Sequence, residues 1–558
     1  MQSQTSLKHD TIHKKYALGA HPIIHTFIDK LGLIDIIGSH IKQDMRTKLS
    51  CEKTISLVIH NILTTPMPLY EFQDWLKPLD ENVLGLADIE VPLINDDRVG
   101  KALDDFYEGK HKDVFFHLAL KAIKIFKIDC SQVHQDTTSI TFAGKYGGWS
   151  AQEILTYGHN KDHRPDLKQL VLGLTVSADG AIPLVHKIYD GNQTDDKLHL
   201  DNHQRLRKLL GRADFIYVAD CKLATSENLQ KISAFEGRFV SIMPRTWKED
   251  RKFREEIKLG NIEWAHLLTK KNNRAPQSKN DHYSVAKGKF SAQIDYTIHW
   301  IRSTQKAEQD VQTRIRRIDK AQIGLRSLQT RLNKYHLKTH DQISAAAKVV
   351  LKDAQANKFL IIKISSTKNT KVVHKKRGRP KPGSLGTKVD GKLFFMTFII
   401  DEAAIVEDSL DDGVFPLITN LDDEYSAKDV LNIYKFQPFL EKRHSQLKSY
   451  QEIAPVFLKK SERVVALLHV HIMALMVASL IERHIRQAMR KNKLDSLPIY
   501  PEGRECKSPT MFDLVRLFRD VERFEVQQKS GTIVFPAQLS KVQNQVLELL
   551  QVPVSLYH

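Results

Sequence analysis

Apolar residues recur at helical spacing through the first part of the chain. Ile23, Ile24, Phe27, Ile28 and Leu31 mark one face of a helix from Pro22 to Leu31. The stretches Cys51 to Leu63 and Asp97 to Tyr107 repeat the pattern, and His111 to Phe126 makes a longer apolar helix. TTPMPLY at 64–70 is a proline-marked break. The spacing predicts a helical N-terminal domain over 1–127, a candidate DNA-binding module. At Ile128 the period changes from helical to alternating. Gln132 to Phe142 and Leu167 to Ser177 read as strands, and the turn ADGAIP leads into a third, Leu184 to Tyr189. A helix from Lys197 to Leu210, a short strand from Phe215 to Ala219, a helix capped by Thr225 or Ser226 and a strand from Arg238 to Met243 follow. That order predicts a mixed sheet with helices packed on it, beginning the core over 128–245.

The rhythm is then interrupted over 246–390. DYTIHWI alternates within a stretch from Ser284 to Ile301. Val311, Ile315, Ile318, Ala321, Leu325, Leu328 and Leu332 fall at steps of three and four, and a second helix runs from Asp341 to near Gln355. This is the pattern of a helical hairpin whose apolar seam needs a partner, inside the insertion or on a second subunit. Leu360 to Ser365 and Leu393 to Ile400 have strand character on either side of a basic, Gly/Pro-rich loop at 371–388. The core is expected to resume at Leu393 and to occupy 391–490. Within it Ser426 and Asp429 suit a helix start, and Val464 to Met489 reads as a helix. Helices from Pro509 to Phe524 and Ala537 to Leu550 are expected in 491–558.

Composition narrows the partner. The 558-residue chain is 41% hydrophobic, so it can build several cores, and its formal net charge of +18 favours a polyanion, nucleic acid first. Cys51, Cys130, Cys221 and Cys506 lie far apart with no CxxC pair, which indicates neither a zinc ribbon nor a disulfide framework. MQSQTSLKHD has no apolar core of a secretory signal. The apolar run from Val464 to Ile481 is interrupted by His469 and His471 and reads as a buried helix rather than a membrane span. A cytoplasmic, nucleic-acid-associated protein without a membrane partner is expected.

The candidate chemistry centres on YKFQPFLEKRHSQLK at 434–448. Tyr434, Glu441 and Lys448 are spaced seven and seven, so on one continuous helix they would share a face, with His444 beside Glu441. Pro438 complicates this: either the helix is kinked there, or it starts near Gln437 and Tyr434 belongs to the element before. Solvated charges on an amphipathic helix are the plain alternative. Asp136 lies inside a strand, on the face of His134 and Thr138, and Asp220 ends the strand FIYVAD. Three acids without a Cys/His cluster suit a hard cation such as Mg²⁺ or Mn²⁺. Two such ions, roughly 4 Å apart, serve phosphoryl transfer by activating the attacking oxygen and stabilising the leaving one. RGRP at 377–380, carrying Arg377 and Arg379, has the form of a minor-groove-binding segment, or of a solvated basic loop. His159 and His163 lack further ligands for zinc, while Lys161 and Arg164 beside them are candidate phosphate contacts.

These residues carry a family resemblance. QDTTS around Asp136, YVADCKLAT around Asp220 and Y-x6-E-x6-K around Glu441 resemble the DDE transposases of the insertion-sequence four superfamily, in particular its insertion-sequence 1634 branch. DGNQTD at 190–195 resembles the turn after that family's third strand, and YALGAHPIIHTFIDKLGLIDII and DDRVGKALDDFYE resemble its N-terminal helical domain. The resemblance implies a ribonuclease-H-like core with an insertion between the second Asp and the Glu. The acids stand 84 and 221 residues apart, which leaves room for one. It further implies Asp136, Asp220 and Glu441 as catalytic metal ligands for Mg²⁺, with Mn²⁺ able to substitute. Tyr434, Lys448, Arg443 and His444 become candidate DNA contacts. The implied partners are double-stranded DNA, both element ends and target, and a second copy of the chain on that DNA, in a bacterial nucleoid. The implied reaction is hydrolytic nicking followed by 3′-hydroxyl strand transfer; an inactive DNA-binding relative and a nuclease without strand transfer remain alternatives. The family's signature has Arg where this chain has Gln437, with Lys435 or Arg443 near enough to supply charge.

Overall fold

The computed structural model describes the chain except residues 1–11, 43–48, 87–89, 143–154, 159–165, 193–197, 272–279, 293–295, 374–386, 454–457, 459 and 529–530. The chain forms two compact units, one of residues 1–241, 420–422 and 431–558, the other of 242–419 and 423–430.

The first unit is built on five strands. They are β1 (Gln132–Phe142), β2 (Lys168–Ser177), β3 (Pro183–Asp190), β4 (Ile216–Ala219) and β5 (Arg238–Ile242). Their order in the sheet is β3-β2-β1-β4-β5. The β1/β2 and β2/β3 pairs are antiparallel, and the β1/β4 and β4/β5 pairs are parallel. This mixed sheet is the ribonuclease-H-like arrangement. The β2–β3 hairpin turns at Gly180, whose φ of +87° suits only glycine there, since a Cβ would also meet the Arg483 side chain at 2.8 Å. β2 is buried at nearly every position because it lies inside the sheet with helices on it.

The helix Ser461–Lys491 is the spine of this unit. By length and composition it could cross a membrane, but its apolar window is wholly buried. It packs on His21–Leu31, Cys51–Thr64, Asp96–Glu108 and His111–Phe126, and on β3. The helices before Ile128 and the one after Lys460 therefore share one core. His469 and His471 are buried in it, His469 with Nδ1 2.6 Å from His186 Nε2.

Three stretches expected to be helical or unstructured are strands. Ile12–Ala17 pairs antiparallel with Glu522–Gln528, which pairs with Gly531–Phe535. The helix expected to run to Phe524 ends at Phe518; it starts at Met511, with Thr510 and Asp513 forming a capping box. The last helix is Lys541–Leu550, capped by Ser540.

The second unit holds the antiparallel strands Val414–Thr419, Thr297–Ser303, Asp281–Ala286 and Trp264–Lys270, paired in that order. Beside them stand the expected helical hairpin, Thr304–Gln329 and His340–Asp353, and a two-stranded ribbon, Leu360–Val373 with Thr387–Ile400. The seam finds its partner here. Ile318, Ala321, Leu325 and Leu328 pack with Ile343, Ala347 and Leu351 and with Leu360, Phe394 and Met396 of the ribbon. The expectation that the core resumes at Leu393 is corrected: Thr387–Ile400 pairs along its length with Leu360–Val373, Ile400 opposite Leu360.

Candidate active site

All three candidate acids belong to the first unit. β1 and β4 run parallel with Gln132 opposite Ile216 and His134 opposite Val218. The pairing stops there, and Asp136 and Asp220 each follow that last pair by two residues, Asp136 within β1 and Asp220 just after β4. Asp220 turns the chain as it leaves the sheet: its Oδ1 accepts from the Lys222 amide at 3.0 Å, and its carbonyl accepts from the Ser241 hydroxyl at 2.7 Å. Asp136 Oδ1 accepts from the Thr137 amide at 2.8 Å.

The third acid comes from the helix Gln437–Ser445, which packs on β1. Tyr434 closes the preceding helix, Ala427–Tyr434, and Lys435–Phe436 form a turn. The new helix starts at Gln437 with Pro438 in its first turn, where the missing amide hydrogen costs nothing. Of the two arrangements that Pro438 allows, the structure adopts the second. Lys448 lies on a π-helical turn, Gln446–Tyr450, that continues the helix. Tyr434, Glu441 and Lys448 thus stand on three consecutive segments rather than one stripe.

The helix meets β1 on the face that carries Asp136. His134, two residues earlier on that face, has Nδ1 2.9 Å from Gln437 Oε1. His444 Nδ1 is 3.7 Å from Asp136 Oδ2. Glu441 projects to solvent. Burial raises the Tyr434 hydroxyl pKa, and the negative charges of Asp220, Cys221, Glu441 and Asp136 raise it further.

Two expected DNA contacts are corrected. Arg443 is 3% exposed and fully engaged inside the unit. It donates to Ala181 O at 3.0 Å, Gly180 O at 2.8 Å, Gln446 Oε1 at 2.6 Å and Glu482 Oε2 at 2.7 Å. Glu482 is itself fully buried; desolvation alone would raise its pKa, but Arg443, Arg486 and the Met511 amide hold it below the usual value. His444 is also buried and faces Asp136. A basic residue in a charged segment reads as solvent-facing, and a buried carboxylate 39 positions later reverses that reading. Sequence reasoning missed Glu482 as the partner of Arg443 and the bonds of Gln437 to β1. The visible signals were a neutral amide where the resemblance expects Arg, and a lone acid ending an apolar helical run. Arg377, Arg379, Lys161, Arg164, His159 and His163 lie outside the described residues, as does 193–195 of DGNQTD.

Chemically, the candidate acids offer carboxylate oxygens, the donor type a hard divalent cation takes, with the exposed Cys221 thiol next to Asp220 and His444 beside Asp136. Among the described residues no three His, Cys, Asp or Glu side chains form a ready metal cage. The donor type fits; a closed ligand shell is not preformed.

Comparison with known proteins gives three findings. A family model described as a domain of unknown function (DUF4277) matches residues 14–120. No curated protein matches the chain significantly. Among solved structures, the chain is similar to a piggyBac transposase in a synaptic complex with hairpin DNA, at 9% identity and a TM-score of 0.41, over 88% of this chain and 79% of that one. It is also similar to the Mos1 transposase in a paired-end complex with the left transposon end, at 8% identity and a TM-score of 0.15, over 38% of this chain and 63% of that one.

Proposed function

We propose that the protein is a DDE-type DNA transposase of the insertion-sequence four kind. The observation that carries this reading is the parallel pairing of β1 and β4, whose last pair, His134 and Val218, stands two residues before Asp136 and Asp220, with the Glu441 helix packed on β1. The motifs around these acids, the +18 net charge and the ribonuclease-H-like strand order support it.

Asp136 and Asp220, with Glu441 as third ligand, would hold Mg²⁺ or Mn²⁺. When bound, these ions supply charge neutralisation for in-line displacement at phosphorus. The chain's own groups do the positioning. Tyr434 and Lys448 flank Glu441 in sequence and hold the phosphate of the cut strand, the phenol as hydrogen-bond donor and the ammonium as point charge. Burial keeps the Tyr434 proton in place, so the phenol stays neutral in a field of carboxylates. No side chain forms a covalent intermediate: water serves as nucleophile in nicking and a 3′-hydroxyl in strand transfer. The partners are element-end and target DNA, with two copies of the chain on the paired ends.

The test uses labelled duplexes from the DNA flanking the gene, at saturating protein. Wild type should nick them with Mg²⁺ or Mn²⁺ and lose activity in EDTA. Asp136→Ala, Asp220→Ala and Glu441→Ala should each lose at least roughly 10²-fold in rate, as when one electrostatic stabiliser is removed, while DNA affinity holds. Joined product from pre-cleaved ends separates a transposase from a nuclease. Wild-type nicking by any folded acid variant removes that residue from the site.

A further inference from the structure

Gln437 stands where the resemblance leads one to expect a guanidinium on DNA, and it does something else. Its side chain is buried at 7% exposure, against the strand that carries Asp136. The amide makes two bonds of opposite sense. Nε2 donates to Gln135 O at 3.0 Å, and Oε1 faces His134 Nδ1 at 2.9 Å. The first bond fixes the second: with Nε2 committed to a carbonyl, Oε1 is an acceptor, so the His134 proton sits on Nδ1. Burial pushes His134 down to about 4, which keeps the ring neutral at ordinary pH. Its Nε2 has no hydrogen-bond partner.

The location explains the need. The parallel ladder between β1 and β4 ends at His134 opposite Val218. Past that point β1 and β4 form no further pair, and the carbonyl of buried Gln135 accepts from the Gln437 amide instead. On the helix side, Gln437–Ser445 starts without a side-chain N-cap. Its first turn is held by Gln437 and by ring packing of Phe436 on His134, centroids 5.0 Å apart, and on Phe439, 4.6 Å apart. Gln437 precedes Glu441 by four residues, one helical turn, and His134 precedes Asp136 by two, one strand repeat.

We propose that Gln437 is a positioning residue that sets the distance between Glu441 and Asp136, by tying the first turn of one acid's helix to the strand of the other. This rests on the transposase reading for its consequence in catalysis, though not for the tie itself. Gln437 touches neither DNA nor the reacting phosphate. Arg443 holds the far end of the same helix to the β2–β3 turn through Gly180 and Ala181, so the Glu441 segment is pinned at both ends.

The experiment measures single-turnover nicking and DNA affinity separately, on the full chain. Gln437→Ala should slow nicking by at least about tenfold, since a misplacement near 1 Å can cost on the order of 10²-fold, with affinity within about twofold of wild type. His134→Ala should lose a similar factor, and the double variant should be no slower than Gln437→Ala. His134→Asn keeps a donor where Nδ1 stood and should restore most of the rate that His134→Ala loses. A folded Gln437→Ala with the wild-type rate overturns the proposal, as does a loss that appears in affinity instead of rate. Should wild type nick no faster than Asp136→Ala, the transposase reading fails, and hydrogen exchange decides the tie. Faster exchange of the 437–445 amides in Gln437→Ala, with β1–β3 unchanged, supports it; unchanged exchange overturns it.

Discussion

The segment around Glu441 and the helical hairpin of the second unit both announce themselves by residue spacing, yet they are held by opposite means. In the first helix of the hairpin the buried apolar positions are Ile318, Ala321, Leu325 and Leu328; Val311 and Ile315 of the expected steps are exposed, and Arg314 is buried against Asp408 and Asp412. In Gln437–Ser445 the buried positions include Gln437, Arg443 and His444 alongside Leu440. The hairpin gains stability from area removed from water, which any apolar residue of similar volume supplies. The Glu441 helix gains it from hydrogen bonds and an ion pair that only particular partners satisfy. The first device tolerates change and places nothing to better than a side chain's width. The second tolerates little and fixes a carboxylate against a strand.

Acid should separate the two units most widely. His21 and His134 are pushed down to about 4 and His186 and His471 to about 3, all by burial, and all lie in the first unit. A lowered pKa means that the unfolded chain takes up protons the folded one refuses. Stability from these rings is complete above about pH 6.5 and falls steadily as the pH drops toward 3. In the second unit His299 is the described histidine whose pKa is lowered. Urea unfolding followed by hydrogen exchange between pH 7 and 4.5 should show first-unit protection lost by several kcal/mol while hairpin protection changes little. Equal loss in both units would break the contrast.

Glu482→Ala should be the costliest single change. It leaves Arg443 buried without its carboxylate, and removing one member of a buried pair costs roughly 3–5 kcal/mol. Loss should be visible in the denaturation midpoint even with DNA binding intact. Leu325→Ala comes next, at about 3 kcal/mol for a buried leucine, expressed in hydrogen exchange of 304–353 and leaving the 437–445 amides alone. A charge at Ile318 or Leu325 would likewise disrupt the seam. Ile323→Glu is the smallest: Ile323 is 69% exposed on the same helix, and a change within about 0.5 kcal/mol is expected. A large effect there would reveal a partner surface that the seam does not account for.

Much of this was legible. Alternation gave β1, β2, β3 and β5 to within a few residues, and the apolar steps gave the hairpin. The motifs single out the three acids as candidates, and the helix start at Gln437 was one of two arrangements that Pro438 allowed. What stayed hidden depends on distant pairing. Leu393–Ile400 looked like returning core because a strand's sequence does not name its partner, and a basic loop separates it from Leu360–Val373. Ile12–Ala17, IHKKYA, carries two adjacent lysines that blur its alternation. Arg443 looked exposed because polarity predicts solvent unless a buried counterpart such as Glu482 is known.

The pairing of Ile12–Ala17 with Glu522–Gln528 also bears on how the molecule is made. Ile12 meets Gln527, which leaves the ribosome last among the strand's partners. At 5–20 residues per second, roughly 500 residues take about 25–100 s to synthesise. For that time the first strand has an open edge, and the N-terminal helices lack Ser461–Lys491, the helix that fills their core. A nascent chain stalled before residue 461 would expose that apolar groove, so an abandoned translation product is expected to be a chaperone client or a protease substrate rather than a dominant-negative DNA binder.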